Sequence, residues 1–274
     1  ISTACGADYL QMAYLQALSI KTTQQVEKNY AVIVDNTTAN LIESKHEQVF
    51  DVIVTIDGNW NFSREWEVRN LSPWKRSIKL DADILFVNDI FNWWNSFENH
   101  MMLFTTDVED YKGKLITDRW HRKLFDINHL PNIYTAFYYF RDGTESAEFF
   151  ELCAKISKEW PWFADEFLIK NDNANPRDDE IFSIAAQIYG VERCTLPGAA
   201  YPRFVHLKEP LNNLPAGKPW HEQLYVEHNN NDLKKFINVI DACPSCSYVR
   251  SIDAKSYVSG IDFLSKHKFY QNTY

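Results

Sequence analysis

Two aspartates one residue apart, Asp81 and Asp83, are the residues whose types and spacing most directly suggest chemistry. They follow a short run over residues 77–80, Ser-Ile-Lys-Leu, that is typical of a strand. Two carboxylates at a strand end can approach one hard cation, and such oxygen ligands suit Mg²⁺ or Mn²⁺ bound together with the phosphates of a substrate. Acids that merely end and solvate a strand give the same pattern, so the pair alone leaves both interpretations open.

Two downstream residues favour the metal interpretation. His206 lies in a short strand-like run over residues 203–207, where its imidazole could be a third metal ligand or a hydrogen-bonded core residue. Lys218 lies on a Gly-Pro turn within residues 217–220, where its charge could hold a diphosphate leaving group or simply face solvent. Together with the aspartates, these residues predict a site for a metal and a diphosphate.

The predicted elements must bring these residues to one place. Helices are predicted at residues 9–20, 38–50, 145–160 and 178–189, and strands at residues 1–4, 30–35, 51–56, 77–80, 101–105 and 134–140. The alternation of strands and helices in the first part predicts a mostly parallel sheet flanked by helices. Ligands of such sheets bind at the carboxyl ends of the strands, which is where Asp81 and Asp83 fall.

Composition sets wider bounds. The 274 residues are 45% hydrophobic and 24% charged, which is typical of a globular protein and excludes a disordered or fibrous one. The net charge of −9 counts against a surface that coats phosphate backbones, without excluding a local basic patch. The longest apolar runs are far shorter than the roughly 20 residues of a membrane helix. With no signal-peptide pattern at its start, the chain is expected in the cytoplasm and away from membranes.

The ordered motifs resemble those of the glycogenin-like retaining glycosyltransferases, which have the GT-A fold and use UDP-sugars with Mn²⁺. The resemblance covers residues 1 to about 220. Asp81-Ala82-Asp83 matches the D-x-D motif of that family, and His206 with the Gly-Lys-Pro-Trp run at residues 217–220 matches its closing motif. The first block, with Tyr9, matches its nucleotide-binding start.

The resemblance implies an α/β protein of the GT-A fold, with a transferase domain at residues 1–220 and a C-terminal extension at residues 221–274. Its implied activity is the transfer of a hexose or pentose, with retention, from a nucleotide-diphosphate sugar to an acceptor hydroxyl. By this resemblance Asp81, Asp83 and His206 would bind Mn²⁺ or Mg²⁺. The donor would contact Tyr9, Thr3, Arg76, Asp81 and Lys218, with Tyr9 stacking on uracil. Asp179 or Asp178 would act on the donor sugar.

The acceptor is less constrained. Arg119, Arg122 and Lys123 belong to the most basic short segment, which is either a solvated face or an arm that meets phosphates and bases. Several blocks, among them residues 17–23 and 30–35, resemble GT-A-type proteins encoded by large tailed phages. Some phage glycosyltransferases decorate hydroxymethylated pyrimidines in DNA, which would place the protein in the host cytoplasm. Modified DNA, a glycan and a small molecule are all retained as acceptors.

Two other classes of protein share parts of the pattern. A sugar-1-phosphate nucleotidyltransferase also pairs carboxylates with a metal, but it normally begins with a Gly-rich basic loop, and residues 2–8 contain one Gly and no Lys or Arg. A non-catalytic sugar-nucleotide-binding protein on the same scaffold is the second alternative, because residues 134–137 depart from the family's Asn-x-Gly strand. Cys243 and Cys246 have the spacing of half a zinc site, without a second pair.

Overall fold

The computed structural model describes residues 1–24, 29–58, 60, 62–86, 94, 97–106, 108–109, 122–169, 175–195, 203–206 and 235–238. Its strands are β1 (Ser2–Thr3), β2 (Ala31–Asp35), β3 (Val52–Ile56), β4 (Arg76–Asp81), β5 (Ile84–Phe86), β6 (Met102–Thr105), β7 (Val108–Glu109), β8 (Tyr134–Arg141), β9 (Arg203–His206) and β10 (Lys235–Asn238). No helix in this part of the chain is long and apolar enough to cross a membrane.

The described helices lie between these strands in chain order. They are α1 (Ala7–Thr23), α2 (Asn36–Ala39), α3 (Ser44–Glu47), α4 (Val68–Leu71), α5 (Lys123–Ile127), α6 (Thr144–Lys158), α7 (Trp160–Phe167), α8 (Asp178–Tyr189) and α9 (Val191–Cys194), and a 3-10 helix covers Phe62–Glu67. The predicted strands at residues 1–4, 30–35, 51–56, 101–105 and 134–140 and the predicted helices at residues 9–20, 145–160 and 178–189 all correspond to observed elements.

A six-stranded sheet in the order β3-β2-β1-β4-β8-β6 forms the centre of the molecule. Strands β1 to β4 are mutually parallel, and β8 runs antiparallel to both β4 and β6. The sheet is therefore mostly parallel, as the alternation of elements predicts. The carboxyl ends of β1 to β4 and the amino end of β8 lie along one edge, which we call the carboxyl edge.

Apolar side chains cover both faces of this sheet because successive residues of a strand point to opposite sides. In β2, Val32 and Val34 pack on the face that α1 covers, whereas Ala31 and Ile33 pack on the face of α6 and α8. The second face is rich in aromatic rings. Phe182 of α8 contacts rings of β6, β8 and α6, which fixes α8 against the sheet.

One predicted helix is wrong. The amphipathic run at residues 38–50 forms two short helices, α2 and α3, rather than one. Each has its own N-terminal hydrogen bond. The carboxylate of Asp35 accepts from the Thr38 amide at 2.7 Å, and the Glu43 amide donates to Nδ1 of His46 at 2.9 Å. These local bonds favour two separate helix starts, at Asn36 and at Ser44, over one continuous helix.

A second sheet of four short strands has the order β5-β10-β9-β7. Strand β10 lies between β5, to which it is antiparallel, and β9, to which it is parallel. Residues 84–86, which directly follow the Asp81-Ala82-Asp83 turn, thus pair with residues 236–238. The predicted boundary at residue 220 falls between two neighbouring strands of this sheet.

Candidate active site

The backbone register brings the predicted acids to the carboxyl edge. Thr3 at the end of β1 is paired with Asp81 at the end of β4. On the other side of β4, Leu80 is opposite Phe137, which lies three residues after the start of β8. The end of β4 is therefore flanked by Thr3 and by the amino-terminal residues of β8.

Asp81 and Asp83 stand on the turn between β4 and β5. The side chain of Asp81 is 37% exposed, whereas Asp83 is only 7% exposed. One oxygen of Asp81, Oδ1, lies 2.6 Å from the ammonium nitrogen of Lys79. The pair thus offers one solvent-facing carboxylate and one more enclosed carboxylate at the same turn.

Lys79 is buried beside this turn and uses its donors inside the protein. Its Nζ lies 2.6 Å from Oε1 of Glu65 and donates to the Thr135 carbonyl at 3.1 Å, in addition to its bond with Asp81. The Tyr138 hydroxyl donates to Oε1 of Glu65 at 3.1 Å. Burial alone would lower the pKa of Lys79, but the charges of Asp81 and Glu65 raise it above its usual value, so the ammonium stays protonated.

Asp179 is held in the first turn of α8 by three groups. Its carboxylate forms a buried ion pair with Arg122, and it accepts from both the amide and the hydroxyl of Thr135 at 2.8 Å. Arg122 also donates to the Ile133 carbonyl at 2.6 Å. A carboxylate with a buried guanidinium and an amide donor is fixed in orientation.

Asp178 lies beside Asp179 and has a strongly raised pKa. Burial, and then the negative charge of Asp179, raises the pKa of Asp178 from 3.8 to about 8. The single hydroxyl of Thr135 lies 2.8 Å from Oδ2 of Asp178 and from Oδ1 of Asp179. Because a hydroxyl has one proton, a protonated Asp178 can donate to Thr135 while Thr135 donates to Asp179.

These groups form one electrostatic cluster. Burial raises the pKa of Tyr134 well above its usual value, and the charges of Asp81, Asp83 and Asp179 raise it further. The whole set comprises five carboxyl groups and two cations: Glu65, Asp81, Asp83, Asp178, Asp179, Lys79 and Arg122. Its excess of negative charge favours a bound cation.

The donor chemistry fits the metal that the resemblance implies. Mg²⁺ and Mn²⁺ prefer carboxylate oxygens and often take only one or two of them, with phosphates and water completing the shell. Asp81 and Asp83 supply such oxygens. Within the described ranges no three His, Cys, Asp or Glu side chains converge on a common metal position. The side chain of His206 lies outside what is described.

Of the other residues predicted to contact the nucleotide-sugar donor, some lie near the site and others do not. Tyr9 lies in the first turn of α1, after the carboxyl end of β1, and packs partly buried on the core. The hydroxyl of Thr3 is buried and has no hydrogen-bond partner among the described residues. Arg76 is not brought to the site, because it starts the strand that Asp81 ends, about 16 Å away along the strand, and pairs with Glu98. Lys218, Cys243 and Cys246 lie outside the described residues.

Arg122 requires a correction. The sequence favoured a solvated face or an acceptor arm for Arg119, Arg122 and Lys123, but Arg122 is only 2% exposed. Its guanidinium lies between the rings of Phe125 and Tyr134 and pairs with Asp179. Lys123 is exposed at the start of α5, and Arg119 lies outside the described residues. Because Arg122 is buried, its side chain is not available to contact an acceptor as the sequence predicted.

Three residues of the site were missed in the sequence: Lys79, Glu65 and Thr135. Lys79 and Asp81 are two residues apart on one strand, so their side chains share a face, and this spacing could have suggested contact. Glu65 and Thr135 carry no local signal, because their partners are 14 and 44 residues away.

Comparisons with known proteins identify the fold. No protein-family model matches the sequence, and no curated protein does. Mouse xyloside xylosyltransferase 1, in its apo form, is similar over 88% of this chain and 96% of its own, with a TM-score of 0.54 and 11% identity.

Two further solved structures are similar with lower scores. The bifunctional glycosyltransferase WbbM has a TM-score of 0.44 and 10% identity, over 75% of this chain and 39% of its own. The galactosyltransferase LgtC, in complex with donor and acceptor sugar analogues, has a TM-score of 0.43 and 12% identity, over 71% of this chain and 73% of its own. The protein has the GT-A fold, as the similarity to the xylosyltransferase and the mostly parallel sheet show.

Proposed function

We propose that the protein is a metal-dependent glycosyltransferase that moves a sugar from a UDP-sugar to an acceptor hydroxyl with retention. One observation carries the proposal: at the carboxyl edge of a GT-A sheet, Lys79 binds both Asp81 and the Thr135 carbonyl, and Thr135 binds both Asp178 and Asp179, which joins the two acidic pairs. Proteins with sheets of this type bind ligands at that edge. The name of the similar xylosyltransferase, which states a sugar transfer, agrees with this choice of reaction.

The donor would bind along the carboxyl edge. Asp81 and Asp83 would hold Mn²⁺ or Mg²⁺, with His206 as the proposed further ligand. When bound, the cation supplies charge to the diphosphate as it leaves. Lys218 would contact the β-phosphate, and Tyr9 and Thr3 would contact the nucleoside. Lys79 holds Oδ1 of Asp81, so this carboxylate is oriented before any ligand arrives.

The transfer breaks the bond between the anomeric carbon and the β-phosphate oxygen and forms a bond from that carbon to the acceptor oxygen. The proton of the acceptor hydroxyl leaves with the departing phosphate. Positive charge develops on the sugar ring in the transition state. Asp179, held by Arg122 and Thr135, would be the carboxylate that faces that charge, and such preorganised charges lower barriers.

The acceptor is proposed only as a hydroxyl group. Of the basic segment predicted to meet DNA, Lys123 is exposed and Arg122 is buried. A hydroxymethylated pyrimidine in phage DNA thus stays a prediction to be screened beside glycans and small molecules.

The test is a thermal-stability panel of nucleotide-sugars with and without Mn²⁺, followed by assays of sugar release from the donor. We expect a rise in melting temperature that needs both a UDP-sugar and the metal. Asp83→Asn should abolish that rise and reduce turnover by about a hundredfold or more, because it removes a ligand charge. Asp142→Asn is the matched control, because Asp142 is an exposed acid beyond the opposite end of the sheet.

Each other outcome has a meaning. An unchanged response in Asp83→Asn would overturn the site. Donor binding without turnover on any acceptor or water would favour the non-catalytic sugar-nucleotide-binding protein. The absence of a response to every donor would overturn the proposed function.

A further inference from the structure

Gln16, in the middle of α1, is a fully buried amide whose hydrogen-bonding capacity is completely used. Its Nε2 donates to the carbonyl oxygens of Asp81 at 2.5 Å and Ile84 at 2.9 Å. Its Oε1 accepts from the hydroxyls of Ser2 and of Tyr30, the latter at 2.6 Å. Two donors and two acceptor positions are all an amide side chain offers.

The two carbonyls that Gln16 binds stand at the two ends of the Asp81–Asp83 turn. Asp81 is the last residue of β4 and Ile84 is the first of β5. One amide group therefore clamps both ends of the turn, and the residues between them, Ala82 and Asp83, are buried at 4% and 7% exposure. On its other side the same amide is tied to β1 through Ser2 and to the residue before β2 through Tyr30.

We infer that Gln16 is a positioning residue that fixes the conformation of the Asp81–Asp83 turn and so orients its two carboxylates. The inference deepens the proposed function and rests on it where it concerns metal binding. The geometry of the turn does not depend on that function. Buried carbonyls left without a donor are costly, so the turn must rearrange when the amide is lost.

Two substitutions test this role. Gln16→Met keeps the volume and removes both donors, and Gln16→Glu keeps the shape and the acceptor oxygen but places a carboxyl oxygen against the carbonyls. Tyr30→Phe is the matched control, because it removes one bond to Oε1 and leaves both donors to the turn in place. All three changes remove a buried hydrogen bond, but only the two at Gln16 release the turn.

Two measurements are made on the whole chain. Hydrogen–deuterium exchange of a peptide spanning residues 80–86 reports on the turn, and calorimetric titration with Mn²⁺, alone and with UDP, reports on the carboxylates. We expect both Gln16 variants to exchange about tenfold faster in this peptide and to bind Mn²⁺ about 10- to 100-fold more weakly, as is typical when a supporting residue of a metal site is lost. Tyr30→Phe should stay near wild type in both.

The outcomes are separable. Unchanged exchange in Gln16→Glu or Gln16→Met would overturn the inference, as would equal effects of Tyr30→Phe, which would indicate a merely structural role. A wild-type protein that binds no Mn²⁺ would overturn the metal site of the proposed function, and the exchange measurement would still decide the role of Gln16. If Gln16→Met does not fold, the exchange of the residue 80–86 peptide in Gln16→Glu tests the role of Gln16.

Discussion

Asp178, which shares its hydroxyl partner Thr135 with Asp179, has a raised pKa, and the direction of that shift decides how its titration affects stability. In the folded state the pKa of Asp178 is about 8, above the ordinary value of 3.8. At any pH between these two values, Asp178 is therefore protonated in the folded state and ionised in the unfolded state. The stability from this proton is complete below about pH 4 and is lost as the pH rises through about 8.

We therefore expect Asp178→Asn to flatten the pH dependence of the free energy of unfolding in metal-free protein. Between pH 5 and 8 the wild type should lose up to about 1.4 kcal/mol per pH unit through this one group. The variant should lack that contribution and gain relative stability at alkaline pH. Urea unfolding at several pH values measures both slopes, and parallel slopes would contradict the raised pKa.

At the residue scale, the sequence predicted only those site residues that are close to one another along the chain. Asp81 and Asp83 are visible as a spaced pair, and Asp178 and Asp179 as acids opening a helix, so both sets could be found without a structure. Lys79 meets Thr135 across 56 residues, and only the register of β4 against β8 brings them together. Arg122 was misplaced for the same reason, because its partner Asp179 is 57 residues away.

Elements are joined at the site by the Arg122–Asp179 ion pair. Arg122 immediately precedes α5, Asp179 lies in the first turn of α8, and the Ile133 carbonyl, which Arg122 also binds, immediately precedes β8. The guanidinium thus connects three elements, and removing it leaves a carboxylate buried without its counter-charge.

Arg122→Met should lower the free energy of unfolding by about 3–5 kcal/mol, which is typical when one partner of a buried ion pair is removed. Lys123→Met is the control, because the adjacent lysine is exposed, and it should change stability by less than about 0.5 kcal/mol. Denaturant unfolding of both variants measures the difference. Equal effects would mean that Arg122 contributes no more than a surface charge.

Helices could be predicted from the sequence where the hydrophobic periodicity was strong. The prediction was poorer where side chains form hydrogen bonds with the nearby backbone. The helix over Asp178–Tyr189 corresponds to a clear apolar stripe, and the predicted helix at residues 9–20 corresponds to Ala7–Thr23. Residues 38–50 carry a similar stripe, yet the hydrogen bonds of Asp35 and His46 divide them into α2 and α3. Pattern alone does not report such caps, since they depend on backbone geometry at single residues.

At the scale of the whole molecule, the open question is whether residues 221–274 form an extension separate from the transferase domain. Strand β10 lies between β5 and β9 in the second sheet, and β5 directly follows the Asp81–Asp83 turn. A chain that ends at residue 220 would lose β10 and leave the facing edges of β5 and β9 unpaired. A chain that ends at residue 240 would keep it.

We therefore expect the chain of residues 1–220 to melt about 5 °C or more below the full chain, with weaker Mn²⁺ binding, because 1–2 kcal/mol shifts the melting temperature of a domain of this size by about that much. The chain of residues 1–240 should retain most of both properties. Thermal melts and Mn²⁺ titrations of the two truncated chains make the comparison. Identical behaviour of the two would mean that pairing through β10 does not support the turn, and that residues 221–274 are a separate extension.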